Sequence, residues 1–227
     1  MTFIDTILSK LAPYECLSCG TEGSLACSAC LNKFLVDYEE CYRCRRHSAG
    51  SLTCTACLGA SSIYRAQAAT IYESAAKDLV WRLKSSGAQA AAHTMAVQMA
   101  PLISPHVTLI IPAPTASSRV RERGYDQSRL LARQLSKLSG LPWADCLTRT
   151  GQAHQVGSDK DHRLQQLQTA FRAKNTALLN DAHVLVVDDV MTTGATIEVT
   201  SRVVVNAGAR RVEALAFARP RERVKVI

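Results

Sequence analysis

The spacing of apolar positions divides the chain into three regions. Residues 14–58 show almost no apolar period and are rich in Cys, Gly and Ser. Residues 63–104 read as a strand or hairpin followed by helices. Residues 107–218 alternate short aliphatic runs with helical stripes. Leu79, Val80 and Leu83 share one face of a helix predicted over 73–84, which Gly87 can end. An alanine-rich helix is predicted over 88–99. A third, over 127–138, carries Leu130, Leu131, Leu135 and Leu138 in one stripe, with Gly140 as its stop. The runs 107–111, closed by Pro112, and 184–187 are continuously aliphatic, as a sheet covered on both faces requires. A last strand, 212–217, follows a helix that ends at Gly208. This alternation predicts an α/β fold with a parallel sheet flanked by helices.

Composition supports a packed domain with a small appendage. The 227 residues are 47% apolar and 20% charged, and the 5% of aromatics leaves the core to aliphatic side chains and alanine. We place the appendage at residues 1–60 and the larger domain at 61–227. The net charge of +8 favours polyanionic partners such as phosphates or nucleic acid. No run approaches the ~18 apolar residues of a membrane-spanning helix. The first ten residues are amphipathic, include Asp5 and lack a basic leader, so they do not read as a secretory signal. A cytoplasmic location is the expectation.

Eight of the nine cysteines form four Cys-x-x-Cys pairs: Cys16/Cys19, Cys27/Cys30, Cys41/Cys44 and Cys54/Cys57. Each spacing lets one tight turn present two thiolates to an ion, and two turns complete a tetrahedral site. Eight ligands imply two structural zinc ions. Consecutive pairing, 16/19/27/30 and 41/44/54/57, makes each half a compact repeat and is preferred over a cross-braced arrangement. Iron–sulfur clusters use the same ligands and disulfides the same residues, but a reducing compartment disfavours disulfides. His47 is spare if the cysteines fill both sites, and Cys146 reads as a lone structural thiol.

The most informative run is 184–196. An aliphatic strand ends in Asp188 and Asp189, and Thr192, Thr193, Gly194, Ala195 and Thr196 lead into a helix. Free N–H groups and the macrodipole at a helix start favour phosphate. Threonine hydroxyls add donors, glycine permits close backbone approach, and two carboxylates can accept from a pair of ribose hydroxyls. No Gly-Lys-[Ser/Thr] follows, so the loop is not a Walker motif.

This run closely resembles the phosphoribosyl diphosphate motif of type I phosphoribosyltransferases. Further pieces resemble one branch of them, the ComF family of competence and DNA-utilization proteins. They are the paired cysteines, Leu83-Lys84 with Gly87, Ile111-Pro-Ala-Pro114, Arg121-Glu-Arg-Gly-Tyr-Asp-Gln127, Arg149-Thr150 with Gln155 and Arg163, Ala170-Phe171 and the Asp-Asp loop. They occur in family order over nearly the whole chain. Tyr125 and Asp126 stand where the family usually has Phe and Asn, and Gln166 where it has Asn. The resemblance implies a type I phosphoribosyltransferase-like domain behind a double zinc ribbon. It implies that Asp188 and Asp189 hold the ribose and residues 192–196 the 5-phosphate. Pro112, Ala113, Pro114 and Thr115 would form the diphosphate loop, with Arg121 and Arg123 swinging over it. Magnesium would bridge ligand oxygens with few protein ligands.

Three functions stay open at the level of sequence. One is a factor that binds phosphoribosyl diphosphate and single-stranded DNA and works with DNA-uptake machinery proteins in natural transformation. Another is a phosphoribosyltransferase acting on a nucleobase or small amine, which needs no side-chain nucleophile if an oxocarbenium-like state is stabilised. The third is a ligand-sensing scaffold that uses the zinc domain as a dock.

Overall fold

The fold is taken from a computed structural model, which describes residues 14–33, 39–85, 88–149 and 171–221. Gly87, Thr150, Gln155, Arg163, Gln166 and Ala170 lie outside the described residues. The central sheet contains β1 (Arg65–Ile71), β2 (Leu109–Pro112), β5 (His183–Val190) and β6 (Arg211–Arg219) in the order β1-β6-β5-β2. Every pairing in it is parallel. A separate antiparallel pair joins β3 (Leu147–Arg149) to β4 (Phe171–Ala173).

Side-chain alternation explains why these strands read as unbroken apolar runs. Leu185 and Val187 of β5 and Leu215 and Phe217 of β6 enter one core. Val184 and Val186, with Val212, Ala214 and Ala216, enter the other. The middle of β5 and of β6 is buried on both faces, which keeps 184–187 and 214–218 apolar. The first core is closed by α3 (Ser74–Lys84), α4 (Ala88–Met99) and α6 (Gln127–Ser139). Leu79, Val80 and Leu83 of α3 and Leu130, Leu131 and Leu135 of α6 are buried there as their spacing predicts, whereas Leu138 faces solvent. The second core is closed by α7 (Ala195–Asn206) and by the β3–β4 pair. Cys146 is buried in it as a free thiol.

Residues 63–72 hold a strand rather than a hairpin, because β1 pairs with β6 across the whole domain. Strand β5 runs three residues beyond the aliphatic stretch and carries both aspartates, since its ladder to β6 continues to Val190↔Ala218. The carboxyl ends of β2 and β5 are neighbours, Pro112 opposite Val187. Open α/β sheets bind ligands at this edge. No helix among the described residues is long and apolar enough to cross a membrane.

The cysteine-rich segment folds as two similar units. In the first, the Cys16 N–H donates to the Thr21 carbonyl at 2.8 Å, and α1 (Ser28–Asn32) starts after Cys27. In the second, the Cys41 N–H donates to the Arg46 carbonyl at 2.9 Å, and α2 (Thr55–Leu58) starts after Cys54. Gly20 turns the first knuckle with φ 74°, and Arg45 turns the second with φ 66°. A left-handed arginine is costly. Here its guanidinium pairs with Glu40 at 2.5 Å and donates to the Pro220 carbonyl at 3.2 Å, tying the unit to the end of β6. The first unit instead packs Leu25, Ala26 and Leu31 into the core beside α3.

Candidate functional site

The eight paired cysteines gather into two groups, Cys16/Cys19/Cys27/Cys30 and Cys41/Cys44/Cys54/Cys57, with all sulfurs of a group within 4.8 Å of one another. This is the consecutive arrangement. A zinc tetrahedron with bonds of ~2.3 Å has sulfur–sulfur edges of about 3.8 Å. The Cys19–Cys27 and Cys44–Cys54 sulfurs lie 3.6 Å apart, so both groups fit the ion. None of the nine cysteines is in a disulfide, and His47 belongs to neither group. The Arg46 N–H holds the Cys44 thiol down at about 6 against the opposing effect of burial. Burial and the neighbouring Cys54 push Cys57 up to about 12. A dication supplies the charge that lets all four ionise together.

At the carboxyl edge of the sheet lies a cleft of about 310 Å³. Asp188, Asp189, Thr192 and Thr196 line one side, and Ala113, Pro114 and Thr115 the other. Asp188 accepts from the Ser128 hydroxyl at 3.1 Å and from the Asp189 N–H at 2.9 Å. Burial, then the adjacent Asp189 charge, raises the Asp188 carboxyl well above the usual carboxylate range. Asp189 is 5% exposed and pairs with the Lys84 ammonium at the end of α3. The Tyr125 hydroxyl donates to the carbonyls of Leu83 (2.7 Å) and Ser85 (3.0 Å), which fixes the helix end that presents Lys84. A phenylalanine at 125 would lack these bonds.

The 192–196 loop turns at Gly194, whose φ of 77° makes it the start of α7. Gly194 brings no side-chain cap, and the Ala195 N–H makes only a long 3.4 Å bond to the Thr193 hydroxyl, so the N–H groups of the first turn can turn to an anion. Thr192 and Thr196 face the cleft, whereas Thr193, Gly194 and Ala195 supply the turn and its backbone. Packing also requires glycine here. A Cβ at 194 would meet the Tyr42 ring of the second cysteine unit at 3.0 and 3.1 Å.

The two expected arginines separate. Residues 117–123 form a helix, α5 (Ser117–Arg123), and positions two apart on a helix point in opposite directions. Arg119 therefore faces the Asp-Asp cleft. Arg121 faces a second cleft of about 290 Å³ with Pro112, Asp126 and Arg129. Arg123 donates to Gln127 at 3.0 Å. The second cleft is largely neutralised, since Arg129 and Lys174 pair with Asp145 at 2.6 and 2.9 Å. Arg119 has no ion pair among the described residues and is free to meet an anion. Asp126 caps α6 by accepting from the N–H groups of Ser128 (3.0 Å) and Arg129 (3.2 Å), a role that Asn fills equally well.

Sequence reasoning overlooked Arg119 and the ion pair of Lys84 with Asp189. In the sequence Lys84 stands out only within the Leu83-Lys84 motif, and Arg119 carries no signal apart from helical phase. No group of three metal-ligating side chains lies at the cleft among the described residues. Magnesium would therefore be held mainly by ligand oxygens, with Asp188 and Asp189 as hard oxygen neighbours.

Residues 95–227 match the phosphoribosyl transferase domain. The DNA utilization protein YhgH of Escherichia coli K12 is 31% identical over 112 residues, 48% of each chain. Competence protein ComFC of Bacillus subtilis is 31% identical over 100 residues, 44% of this chain and 39% of that one. Competence protein F of Haemophilus influenzae is 33% identical over 113 residues, 48% of this chain and 49% of that one. The chain spans about half the length of the curated relatives it matches. Among solved structures, a purine phosphoribosyltransferase from Pyrococcus horikoshii is similar with a TM-score of 0.35 and 18% identity, covering 60% of this chain and 92% of that one. An adenine phosphoribosyltransferase from Leishmania tarentolae gives a TM-score of 0.39 and 14% identity, covering 63% and 75%. The curated names agree with the ComF resemblance drawn from the motifs, and the matched domain covers more than half of the chain: it belongs to the phosphoribosyl transferase domain family, in its ComF-like branch.

Proposed function

We propose that this chain binds phosphoribosyl diphosphate with magnesium in the Asp188–Asp189 cleft, and single-stranded DNA on its surface, in the service of DNA uptake. The observation that carries the reading is one cleft lined by two strand-end carboxylates, an uncapped helix start and two cations, Lys84 and Arg119. Carboxylates suit ribose hydroxyls, and the N–H groups and cations suit phosphates. The zinc ribbon at residues 1–60 and the transferase-like domain at 61–227 act as one functional body in this proposal, because the second cysteine unit abuts the phosphate loop.

The DNA part is supported by the names of the relatives, by the net charge of +8 and by Trp81. Trp81 on α3 is 61% exposed, with the Arg82 guanidinium 5.7 Å from its ring centre. Exposed aromatic faces beside cations are platforms for unpaired bases. Lys84, which lines the cleft, ends the same helix.

The test is calorimetric titration with phosphoribosyl diphosphate and magnesium, followed by fluorescence anisotropy with a labelled single strand. Saturable binding of both supports the proposal. Ligand binding with transfer to a nucleobase and no DNA binding would favour the transferase reading instead.

A further inference from the structure

Tyr42 lies inside the Cys41–Cys44 knuckle and reaches the phosphate loop. Its side chain is buried, and its ring occupies the space where a side chain at Gly194 would project. Its hydroxyl donates to Glu198 and lies 2.7 Å from the Ser61 hydroxyl. Glu198 sits in the first turn of α7, and its own N–H donates to the Gly194 carbonyl at 2.8 Å. Its carboxylate also accepts from the Ser61 hydroxyl at 2.9 Å and the Ser62 N–H at 3.0 Å, shortly after Cys57. Behind the ring, the Tyr42 carbonyl accepts from Arg219 at 2.5 Å, and Arg219 pairs with Glu40 at 3.2 Å. The knuckle is thus clamped to the end of β6 on one side and to the start of α7 on the other.

We propose that Tyr42 is a positioning residue through which metal occupancy of the Cys41/Cys44/Cys54/Cys57 site sets ligand affinity at the 192–196 loop. The reason is mechanical. Cys41 and Cys44 bracket Tyr42, so the ion that fixes the turn also fixes the ring. When the ion leaves, the turn loosens, the ring withdraws from Gly194 and Glu198, and the helix start loses its support. Among the described residues the first cysteine group has no such contact with the 192–196 loop, since its unit packs beside α3. Coupling between two sites is reciprocal, so bound ligand must tighten zinc at the second group by the factor by which zinc tightens the ligand.

This inference rests on the cleft being the phosphoribosyl diphosphate site and on zinc filling the cysteine groups. The test is a zinc-competition titration of the full chain with a zinc-selective chromogenic chelator, with and without phosphoribosyl diphosphate and magnesium. The expected result is that one of the two zinc ions is held about 5-fold or more tightly with ligand while the other is unchanged. Tyr42→Leu should keep its zinc and its melting transition, bind ligand about tenfold more weakly and lose the protection. If Tyr42→Leu does not fold, Tyr42→Phe keeps the ring, removes only the hydroxyl's links to Glu198 and Ser61 and should show a smaller loss of both. Ligand binding by the wild type with equal zinc affinity in both conditions would overturn the coupling. Absence of any ligand binding by the wild type would instead overturn the cleft assignment, and the coupling with it.

Discussion

Replacing Asp188 and Asp189 by Asn separates a ligand clamp from a structural pair. The two acids are adjacent in sequence but differently held. Asp188 takes hydrogen bonds from Ser128 and from the Asp189 N–H, while Asp189 faces the Lys84 ammonium. Asp188 carries the raised pKa, caused first by burial and then by the Asp189 charge, against the lowering effect of those two hydrogen bonds. A carboxyl whose folded pKa lies above its unfolded value binds more protons in the folded state. Its contribution to stability is greatest at low pH and is lost as pH climbs from the unfolded value of 3.8 through the raised one. Asp188→Asn removes that loss, so the ligand-free variant should melt higher than wild type at neutral pH, with a flatter pH profile. Asp189→Asn instead strands Lys84. That side chain is 30% exposed, so the lost pair is worth about 1 kcal/mol or less, and the melt should fall slightly. Both variants should lose ligand. A hydrogen bond to a charged group contributes ~1.5–3 kcal/mol, or about 10- to 150-fold in affinity for each acid and roughly 10²–10⁴ for the pair. Calorimetric titration with phosphoribosyl diphosphate and magnesium, beside thermal melts across the pH range, reads both effects. Unchanged affinity in the double variant would refute the clamp, and a collapsed melt would show the pair to be structural.

Four further outcomes are expected. Gly194→Ala should cost about 1–2 kcal/mol in urea unfolding for the left-handed backbone alone, and more if the Tyr42 ring cannot shift. Elemental analysis of protein purified without added metal should find two zinc ions per chain, and Cys16→Ser or Cys41→Ser should lose one ion together with folding stability. Arg119→Ala should weaken ligand binding without moving the melt, whereas Arg121→Ala, which faces the other cleft, should change ligand affinity less. Single-strand affinity should fall steeply as salt rises, and Trp81→Ala should remove ~1–3 kcal/mol of it by anisotropy titration.

Local features were the legible ones. The aliphatic run before Asp188, the leucine stripe of α6 and the cysteine pairs each depend on neighbours a few residues away, and each appears where its spacing puts it. Consecutive pairing of the cysteines followed from repetition along the chain, which the matching knuckles express in backbone hydrogen bonds. Long-range side-chain contacts were not legible. Lys84 meets Asp189 only because α3 and β5 end at the same edge of the sheet, and Arg219 reaches Tyr42 only because the second cysteine unit docks on β6. The sequence pointed to Arg121 and Arg123 and not to Arg119, because which cleft each side chain faces is decided by the helical phase of residues 117–123. Tyr125 and Asp126, which depart from the family pattern, supply a long-range hydrogen bond to the end of α3 and a local one at the start of α6, respectively.

The most direct test of the account is a crystal structure of the chain grown with phosphoribosyl diphosphate and magnesium. The account predicts both ribose hydroxyls on the carboxylates of Asp188 and Asp189, the 5-phosphate on the backbone N–H groups of residues 192–196, and the diphosphate between residues 112–115 and Arg119. Ligand density in the cleft of Arg121 and Arg129 instead, with the Asp189–Lys84 pair undisturbed, would contradict it.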